Sequence, residues 1–222
     1  YITSTLTALS RKKAYHQCLQ IIQALRPGRV DLDIRHWNMA IIAAQKTLQW
    51  TVCLETLEAM ARAEAKADHI TFGNAITACG KAKKWDVAIA LLQDLRRSAL
   101  ELDRISSNAA LSACEKAAQW PLALHLLQLK EVEHDAISFN ACISACEKGL
   151  QWQHALGLLQ QITREQLSPT QISYNGVITA CSHSAQWQHA LQLLRKMEEA
   201  NILPSEVTFS ALLTATSNAQ QW

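Results

Sequence analysis

The chain has 222 residues, 49% of them hydrophobic and 18% charged, with a formal net charge of +2 at pH 7. This composition excludes an intrinsically disordered chain, and only six glycines and four prolines exclude a collagen-like fibre. The apolar runs are too short for a membrane-spanning helix of about 20 residues. Seven cysteines without a Cys-x-x-Cys pair indicate reduced thiols. From its composition and its short apolar runs, the chain is predicted to fold as a soluble protein.

Aromatic residues recur at nearly constant intervals along the chain. Trp50, Trp85, Trp120, Trp152, Trp187 and Trp222 are separated by 35, 35, 32, 35 and 35 residues, and Tyr15 stands one interval before the first of them. Periods of this size are typical of solenoids, in which each unit buries its apolar face on the next. The shorter interval indicates that one unit has lost three residues around 128–133.

Each unit is predicted to contain two antiparallel helices, because apolar residues recur at helical spacing in segments such as 137–146 and 152–159. In chain order the predicted units are 1–33 (partial), 34–68, 69–103, 104–135 (short), 136–170, 171–205 and 206–222 (partial). The sequence therefore predicts an all-α solenoid formed by a single repeat array. The incomplete units at both ends indicate a segment of a longer protein.

Three columns of residues share this period. Twelve residues before the aromatic stand Thr3, Asn38, Gly73, Asn108, Asn140, Asn175 and Ser210. Three residues before that column stand Arg35, Ile70, Ile105, Ile137, Ile172 and Val207. Eight residues after it stand Arg11, Lys46, Lys81, Lys116, Lys148 and His183. We call these three sets, in the order given, the reader column, the β-branched column and the cation column.

The units also share a motif. It begins Ile-Ser-Phe/Tyr-Asn and continues through Ser/Thr-Ala-Cys to Trp-x-x-Ala-Leu-x-Leu-Leu, with the best matches at 137–159 and 172–194. This motif resembles that of the pentatricopeptide repeat family, and the resemblance covers the whole chain. The tetratricopeptide repeat, with a period of about 34 and another signature, fits less well. The resemblance implies a right-handed superhelix whose first helices line a groove for single-stranded RNA, one base per repeat.

The resemblance also implies that each base is read by the reader residue together with the last residue of its repeat. These last residues are Asp33, Asp68, Asp103, Asp135, Thr170 and Ser205. Asn offers donors and an acceptor, Ser and Thr a hydroxyl, and Asp acceptors only. The implied RNA core is G-U-N-U-Y-C, starting at the Thr3 repeat and followed by a purine at Ser210. For any single reader, a helix N-cap is an equally good interpretation.

By the same resemblance, the β-branched column sandwiches the bases and the cation column contacts phosphates. Arg35 departs from the β-branched pattern, although a guanidinium plane can also stack on a base. For the β-branched column, the alternative is that these residues pack between repeats as ordinary core. For the cation column, the alternative is that the cations complement helix dipoles. Phosphate contact is favoured, because five firm cations in one column exceed what a net charge of +2 would suggest.

A column of cysteines and a pair of histidines one repeat apart raise the question of metal sites. Neighbouring repeats lie about 8–10 Å apart, which is too far for their side chains to share one zinc ion. Buried packing is therefore favoured for Cys79, Cys114, Cys146 and Cys181, and His154 and His189 fail the same test. Core packing is likewise favoured for the tryptophans. The sequence carries no recognised catalytic signature, so no enzyme activity, metal or cofactor is predicted for this segment.

Three functions remain open. The leading hypothesis is a module that binds single-stranded RNA by sequence and supports its processing, editing, splicing, stability or translation. The second is a protein-interaction scaffold that has lost RNA reading, which Arg35 and Gly73 favour. The third is the recognition half of a larger RNA-processing enzyme. The family resemblance implies a mitochondrion or a chloroplast, but these residues carry no visible targeting signal.

Overall fold

The computed structural model of the protein describes residues 33–98, 100–129 and 131–219 and, before them, Gln17, Gln20 and Ile21. These residues contain no strand, and eleven helices follow one another from residue 34 to residue 218. They are α1 (Ile34–Lys46), α2 (Trp50–Arg62), α3 (His69–Lys81), α4 (Trp85–Arg97), α5 (Arg104–Lys116), α6 (Trp120–Leu127), α7 (Ala136–Lys148), α8 (Trp152–Arg164), α9 (Gln171–His183), α10 (Trp187–Glu199) and α11 (Glu206–Asn218). Thr3 and Arg11 lie outside the described residues.

The helices pack as two compact units, residues 1–113 and 114–222. In the first unit, α1 packs against α2 and α3, and α3 packs against α4. In the second unit, α7 packs against α6, α8 and α9, and α9 packs against α10 and α11. Within each unit a first helix thus contacts its own second helix and the first helix of the next pair. The predicted all-α solenoid is confirmed, and the handedness of the superhelix stays a prediction.

The same turn joins the first helix of a pair to the second. After α1, the Gln49 amide donates to the Ala44 carbonyl at 2.9 Å. The Leu48 amide donates to the Gln45 carbonyl at 3.4 Å, which completes a Schellman motif. The residue with a left-handed φ is not a glycine in any of the described turns of this kind: Leu48, Lys83, Ala118, Leu150 and Ala185. The residue that follows is the N-cap of the second helix, so one short turn ends one helix and begins the next.

Small side chains lie at the contacts between paired helices. Three residues after each tryptophan of the five described pairs stand Cys53, Ala88, Ala123, Ala155 and Ala190, none of which has exposed surface. The Cys53 thiol reaches the Ile41 carbonyl of α1 at 3.8 Å, so the two helices are in close contact there. Larger side chains fill the rest of each layer, and Ile41, Ile76, Leu111, Ile143 and Ile178 form a fully buried column with the repeat period.

Five tryptophans of the repeat column lie in the described residues: Trp50, Trp85, Trp120, Trp152 and Trp187. Each of these five is the first residue of a second helix and is half-buried. In the second unit, the Trp120 ring centroid lies 5.0 Å from that of His154, and Trp152 lies 4.9 Å from His189. Trp120 and Trp152 therefore each contact a ring of the next second helix, and these contacts give the two histidines a packing role.

Helix α6 is shorter than the other described second helices. It has eight residues, whereas α2, α4, α8 and α10 have 13 each. The loop that follows contains the segment around 128–133 where the sequence period places a loss of three residues. Since α7 again begins at an Asp N-cap, the repeat resumes after the deletion. Within the described part of the chain, no helix has the length and apolar character needed to cross a membrane.

Two glycines provide a matched test of this packing. A Cβ added at Gly149, the C-cap of α7, would overlap the Trp120 indole ring, whereas a Cβ at Gly157 in α8 would meet nothing within 4 Å. We expect Gly149→Ala to lower the free energy of unfolding by about 1–3 kcal/mol because of the steric overlap. Gly157→Ala should raise it by about 0.5–1 kcal/mol because alanine favours a helix interior. Urea denaturation measures both, and equal effects would contradict the observed Trp120 contact.

Candidate nucleic-acid interface

Most described first helices begin at a capping box that joins two repeats. The N-cap is the last residue of the preceding repeat, namely Asp68, Asp135, Thr170 or Ser205, and its side chain accepts a hydrogen bond from the amide three residues later. The side chain of that third helical residue, which is Thr71, Ser138, Ser173 or Thr208, accepts in return from the N-cap amide. These reciprocal bonds satisfy donors that a helix N-terminus leaves unpaired.

The reader residues lie inside the helices rather than at their N-caps. Asn38, Asn108, Asn140 and Asn175 are each the fifth residue of a first helix. The N-cap interpretation of these readers is therefore wrong. The capping role belongs to the partner column, because the residue that ends one repeat is also the N-cap of the next first helix.

In the first unit, Asn38, Asp68 and Thr71 form one hydrogen-bonded group. The Asn38 Nδ2 donates to the two Asp68 carboxylate oxygens at 3.3 and 3.2 Å. The Thr71 hydroxyl donates to the Asn38 Oδ1, and its distance to the Asp68 Oδ1 is 2.7 Å. We call such a group, made of a reader, its partner and the third residue of the next first helix, a reader triad.

The surroundings of Asp68 favour its charged form. Burial raises the pKa of this carboxyl group, but hydrogen bonds from Thr71 and Asn38 together outweigh burial and hold the pKa below its usual range. Asp68 is therefore a carboxylate at neutral pH and offers only acceptors to a neighbouring group.

The second unit contains two further reader triads. In one, the Ser173 hydroxyl donates to the Asn140 Oδ1 at 2.7 Å, and the Asn140 Nδ2 donates to the Thr170 hydroxyl at 3.4 Å. In the other, the Thr208 hydroxyl donates to the Asn175 Oδ1 at 2.6 Å, and the Asn175 Nδ2 donates to Ser205 at 3.1 Å. Thus the reader and partner predicted from the sequence are in contact in all three of these repeats.

At Gly73 the triad lacks its reader side chain. The Ser106 amide donates to the Asp103 carboxylate at 2.9 Å, as in the other caps, but the fully buried Ser106 hydroxyl has no hydrogen-bond partner among the described residues. A Cβ built at Gly73 would lie 3.4 Å from that hydroxyl. A cavity of 230 Å³ opens beside Gly73 and is lined by Asp103, Ile70 and Ile105, among others.

The β-branched column is exposed. Ile70, Ile105, Ile137, Ile172 and Val207 are 58%, 72%, 66%, 68% and 59% exposed, respectively. The interpretation that they form a core between repeats is therefore wrong. The Arg35 side chain, in the same column, is 80% exposed and lies 3.9 Å from the Asp33 carboxylate.

The described cations lie at the C-terminal ends of the first helices, and all five of their residues are exposed. Lys148 differs from the others because its ammonium group lies 2.9 Å from the Glu115 carboxylate. The same carboxylate accepts a hydrogen bond from Ser144 at 3.2 Å. His183 and the exposed reader Ser210 line a second cavity, of 360 Å³, together with Val207.

Three sequence profiles of one family match this chain. The profile described as "Pentatricopeptide repeat domain" matches residues 122–184, "PPR repeat family" matches 169–218, and "PPR repeat" matches 70–100. The chain belongs to the pentatricopeptide repeat family. No curated protein matches it.

Solved structures of other pentatricopeptide repeat proteins have the same fold. The crystal structure of PPR10 from maize has a TM-score of 0.73 and 24% identity over 99% of this chain and 32% of that chain. PPR10 in complex with an 18-nt psaJ RNA element has a TM-score of 0.83 and 20% identity over 99% of this chain and 33% of that chain. The chain thus spans about one third of the length of PPR10.

A more distant structure is the PPR domain of Arabidopsis thaliana protein-only RNase P 1, solved in complex with tRNA. Its TM-score is 0.57 at 16% identity, and the match covers 65% of this chain and 78% of that domain. At these identities the likeness shows the fold alone.

The third member of each triad was missed by the sequence analysis of this pentatricopeptide repeat chain. A signal was present, because Ser or Thr stands two residues before every reader from Gly73 to Ser210. These residues are Thr71, Ser106, Ser138, Ser173 and Thr208. The hydroxyls of Thr71, Ser138, Ser173 and Thr208 accept at the helix cap. In the three triads above, the hydroxyl also donates to a reader 33 residues earlier in the chain.

The described cysteines are buried free thiols. Burial raises the pKa of Cys79, Cys114, Cys146 and Cys181 to about 11. Among the described residues, no group of three or more His, Cys, Asp and Glu side chains is placed to hold a metal ion.

We expect these thiols to react slowly in the folded protein. A pKa of about 11 leaves only about one thiolate per thousand thiols at pH 8, and the thiolate is the nucleophile. In a Cys18→Ser variant, labelling with a disulfide reagent at pH 8 should be at least about 100-fold slower in buffer than in denaturant. Because the raised pKa favours the neutral thiol, the rate should increase with pH up to about 11. Rapid native labelling would contradict the observed burial.

Proposed function

We propose that this chain binds single-stranded RNA by sequence, with each repeat reading one base. The observation that carries the proposal is the reader triad, which recurs with the same residue spacing in both units. The readers Asn38, Asn140 and Asn175 are half-buried, so the triads are ordered by their hydrogen bonds yet remain accessible to solvent. Solvent-accessible amides and carboxylates at a fixed spacing suit the Watson–Crick edges of successive unpaired bases.

The chemistry of each partner accounts for the base it would accept. The Asn38 amide nitrogen has a second hydrogen, which can be donated to a pyrimidine carbonyl. The Asp68 carboxylate only accepts, so it favours the N3–H donor of uracil over the N3 acceptor of cytosine. A hydroxyl partner such as Ser205 can donate instead, so the Asn175 repeat accepts cytosine. Asp103, Asp135 and Thr170 are assigned as partners on the same grounds, and the proposed core remains G-U-N-U-Y-C.

The exposed β-branched column supports the proposal independently. Five large apolar side chains, each more than half exposed, are costly in water unless a ligand covers them. Ile70 and Ile105 line the same cavity as Gly73 and Asp103. A base held between two such side chains would bury its apolar faces while its edge meets the reader position, which is the arrangement of a stacking site for single strands.

Membership of the pentatricopeptide repeat family supports RNA as the binding partner and suggests the cellular process that the protein serves. PPR10, with the same fold, has been solved with an 18-nt RNA element. By family resemblance, the process served is RNA processing, editing, stability or translation in a mitochondrion or chloroplast. Catalysis would then belong to another domain or to a recruited protein. A protein-interaction scaffold is the alternative that the following experiments separate from RNA reading.

Exchanging one reader should change the preferred base at one position only. In an Asn38→Thr variant the partner Asp68 is retained, so the repeat acquires the Thr–Asp pair that the family resemblance assigns to guanine. We expect the preference at the second base of the core to move from uracil toward guanine by at least about tenfold, as one well-placed hydrogen bond would produce. Selection from randomised RNA, followed by binding measurements on single-base variants, gives this ratio.

Asn74→Thr is the matched control for this exchange. Asn74 lies in α3, donates to the Ile70 carbonyl at 2.9 Å and is not a reader, so its replacement should leave the second base unchanged. An Asn38→Thr variant with the wild-type preference would refute base reading at this position. A selection without any enriched sequence would favour the protein-interaction scaffold.

The cation column should make binding sensitive to salt. Contacts from about five or six cations imply a log–log slope of affinity against salt of roughly −4, at about −0.7 per phosphate. Lys81→Ala and Lys116→Ala should each reduce the magnitude of the slope by about 0.7 and weaken all RNA sequences alike. Lys148→Ala should have a smaller effect, because RNA would first have to displace Glu115 from this lysine.

Arg164→Ala is the control for the cation experiment. Arg164 is an exposed cation in the last turn of α8, a second helix, and therefore complements a helix dipole without belonging to the column. Its removal should leave the slope unchanged. If Lys81→Ala also leaves affinity and slope unchanged, the cation column only complements the dipoles of the first helices.

A further inference from the structure

We infer that the hydroxyl of the third residue in a first helix is a positioning residue for base recognition. On this basis the recognition unit is the reader triad rather than a pair, and the Gly73 repeat contains a triad that lacks only its reader amide. The inference rests on the proposed RNA reading and adds to it a specificity-determining residue that does not touch the base.

The hydroxyl can act only through the reader. Thr71, Ser173 and Thr208 have no exposed surface, so RNA in the groove cannot reach them. Each donates to the Oδ1 of the Asn in the preceding repeat. Each is also held by the capping box of its own helix, which fixes its position relative to the partner residue. The hydroxyl therefore links the start of one repeat to the reader of the repeat before it.

The hydrogen bond from the hydroxyl to Oδ1 fixes the orientation of the reader's side-chain amide. With Oδ1 held by the hydroxyl, the Asn38 Nδ2 faces Asp68 and its second hydrogen is left for a base. A reversed amide would direct Oδ1 at the Asp68 carboxylate and lose both bonds. Without the hydroxyl, the amide would rotate more freely and would present either a donor or an acceptor to the base. The hydroxyl thus converts an ambiguous side chain into a defined donor.

The Gly73 repeat shows the same site with one part missing. Asp103 caps α5 through the Ser106 amide, as the partners do in the complete triads. The Ser106 hydroxyl, which would hold a reader, is buried and unpaired among the described residues. An unpaired buried hydroxyl is unfavourable, and here it lies 3.4 Å from the point where a reader Cβ would be. The adjoining cavity of 230 Å³ provides room for an amide side chain.

The first experiment removes the hydroxyl from a complete triad. Thr71→Val keeps the side-chain shape but cannot donate, and Thr71→Ser keeps the donor. RNAs that differ only at the second base of the core are titrated with each variant of the whole chain. We expect Thr71→Val to lower the preference for uracil about five- to tenfold and Thr71→Ser to retain it. Equal losses of affinity for all four bases, with the preference intact, would mean a merely structural role and would overturn the inference.

The second experiment completes the latent triad. Gly73→Asn should create a preference for uracil at the third base, about five- to tenfold, because Asp103 and Ser106 are already in place. The same substitution combined with Ser106→Ala should create much less preference. Gly73→Ala is the control, since it adds the Cβ without the amide. A preference that is the same with and without the Ser106 hydroxyl would overturn the inference.

A measurement without RNA separates this inference from the proposed function. Urea denaturation of Gly73→Asn, Ser106→Ala and the double variant gives the coupling between the two positions. We expect the Asn to change the unfolding equilibrium constant about five- to tenfold more when Ser106 is present, and Ser106→Ala alone to be nearly neutral. Coupling without base preference in the wild type would refute RNA reading but keep the triad. No coupling would refute the triad contact itself.

Discussion

The hydrogen-bonded N-terminus of each first helix is the constraint on which the other features depend. The first amides of a helix have no partner within it, and the side chains of Asp68, Thr170 and Ser205 supply one. Because the capping residue also contacts the reader of its own repeat, satisfying the start of the next first helix places the reader pair as well. The geometry of the candidate site is thus a consequence of how the helices begin.

Stacking of the helix pairs determines what the site exposes. Small residues at the contacts within a pair, such as Cys53 and Ala88, let the two helices lie close together. The fully buried column that includes Ile76 and Ile143 then fixes which face of each first helix points inward. The β-branched column is left outside, next to the readers, and the cations lie at the far ends of the same helices. Within each unit, the first helices therefore present apolar, polar and cationic groups at corresponding positions.

The fold could be predicted from the sequence because the 35-residue period and the helical spacing each point to stacked hairpins. The reader and partner positions followed from the family resemblance, and the structure adds that three of these pairs are hydrogen-bonded to each other. The Thr71 hydroxyl was missed because its bond to Asn38 spans 33 residues and depends on how neighbouring repeats stack. For the same reason the period gave no indication that Lys148 pairs with Glu115 or that Trp120 contacts His154.

The hydrogen bonds across repeat boundaries define which segments can be exchanged as intact modules. A cut between residues 68 and 69, at a boundary of the sequence period, separates Asn38 and Asp68 from Thr71. A cut in the turn before Trp50 also separates Asn38 from Asp68 and Thr71, and a cut before Trp85 separates Gly73 from Asp103 and Ser106. A cut between residues 71 and 73, inside the first helix, keeps the Asn38 group on one fragment and leaves the next reader position with its own partner on the other. Recombination at that point, in the course of evolution or in the laboratory, would transfer complete recognition groups. The inherited unit of specificity, residues 38–72, is therefore offset by about four residues from the unit of sequence, residues 34–68.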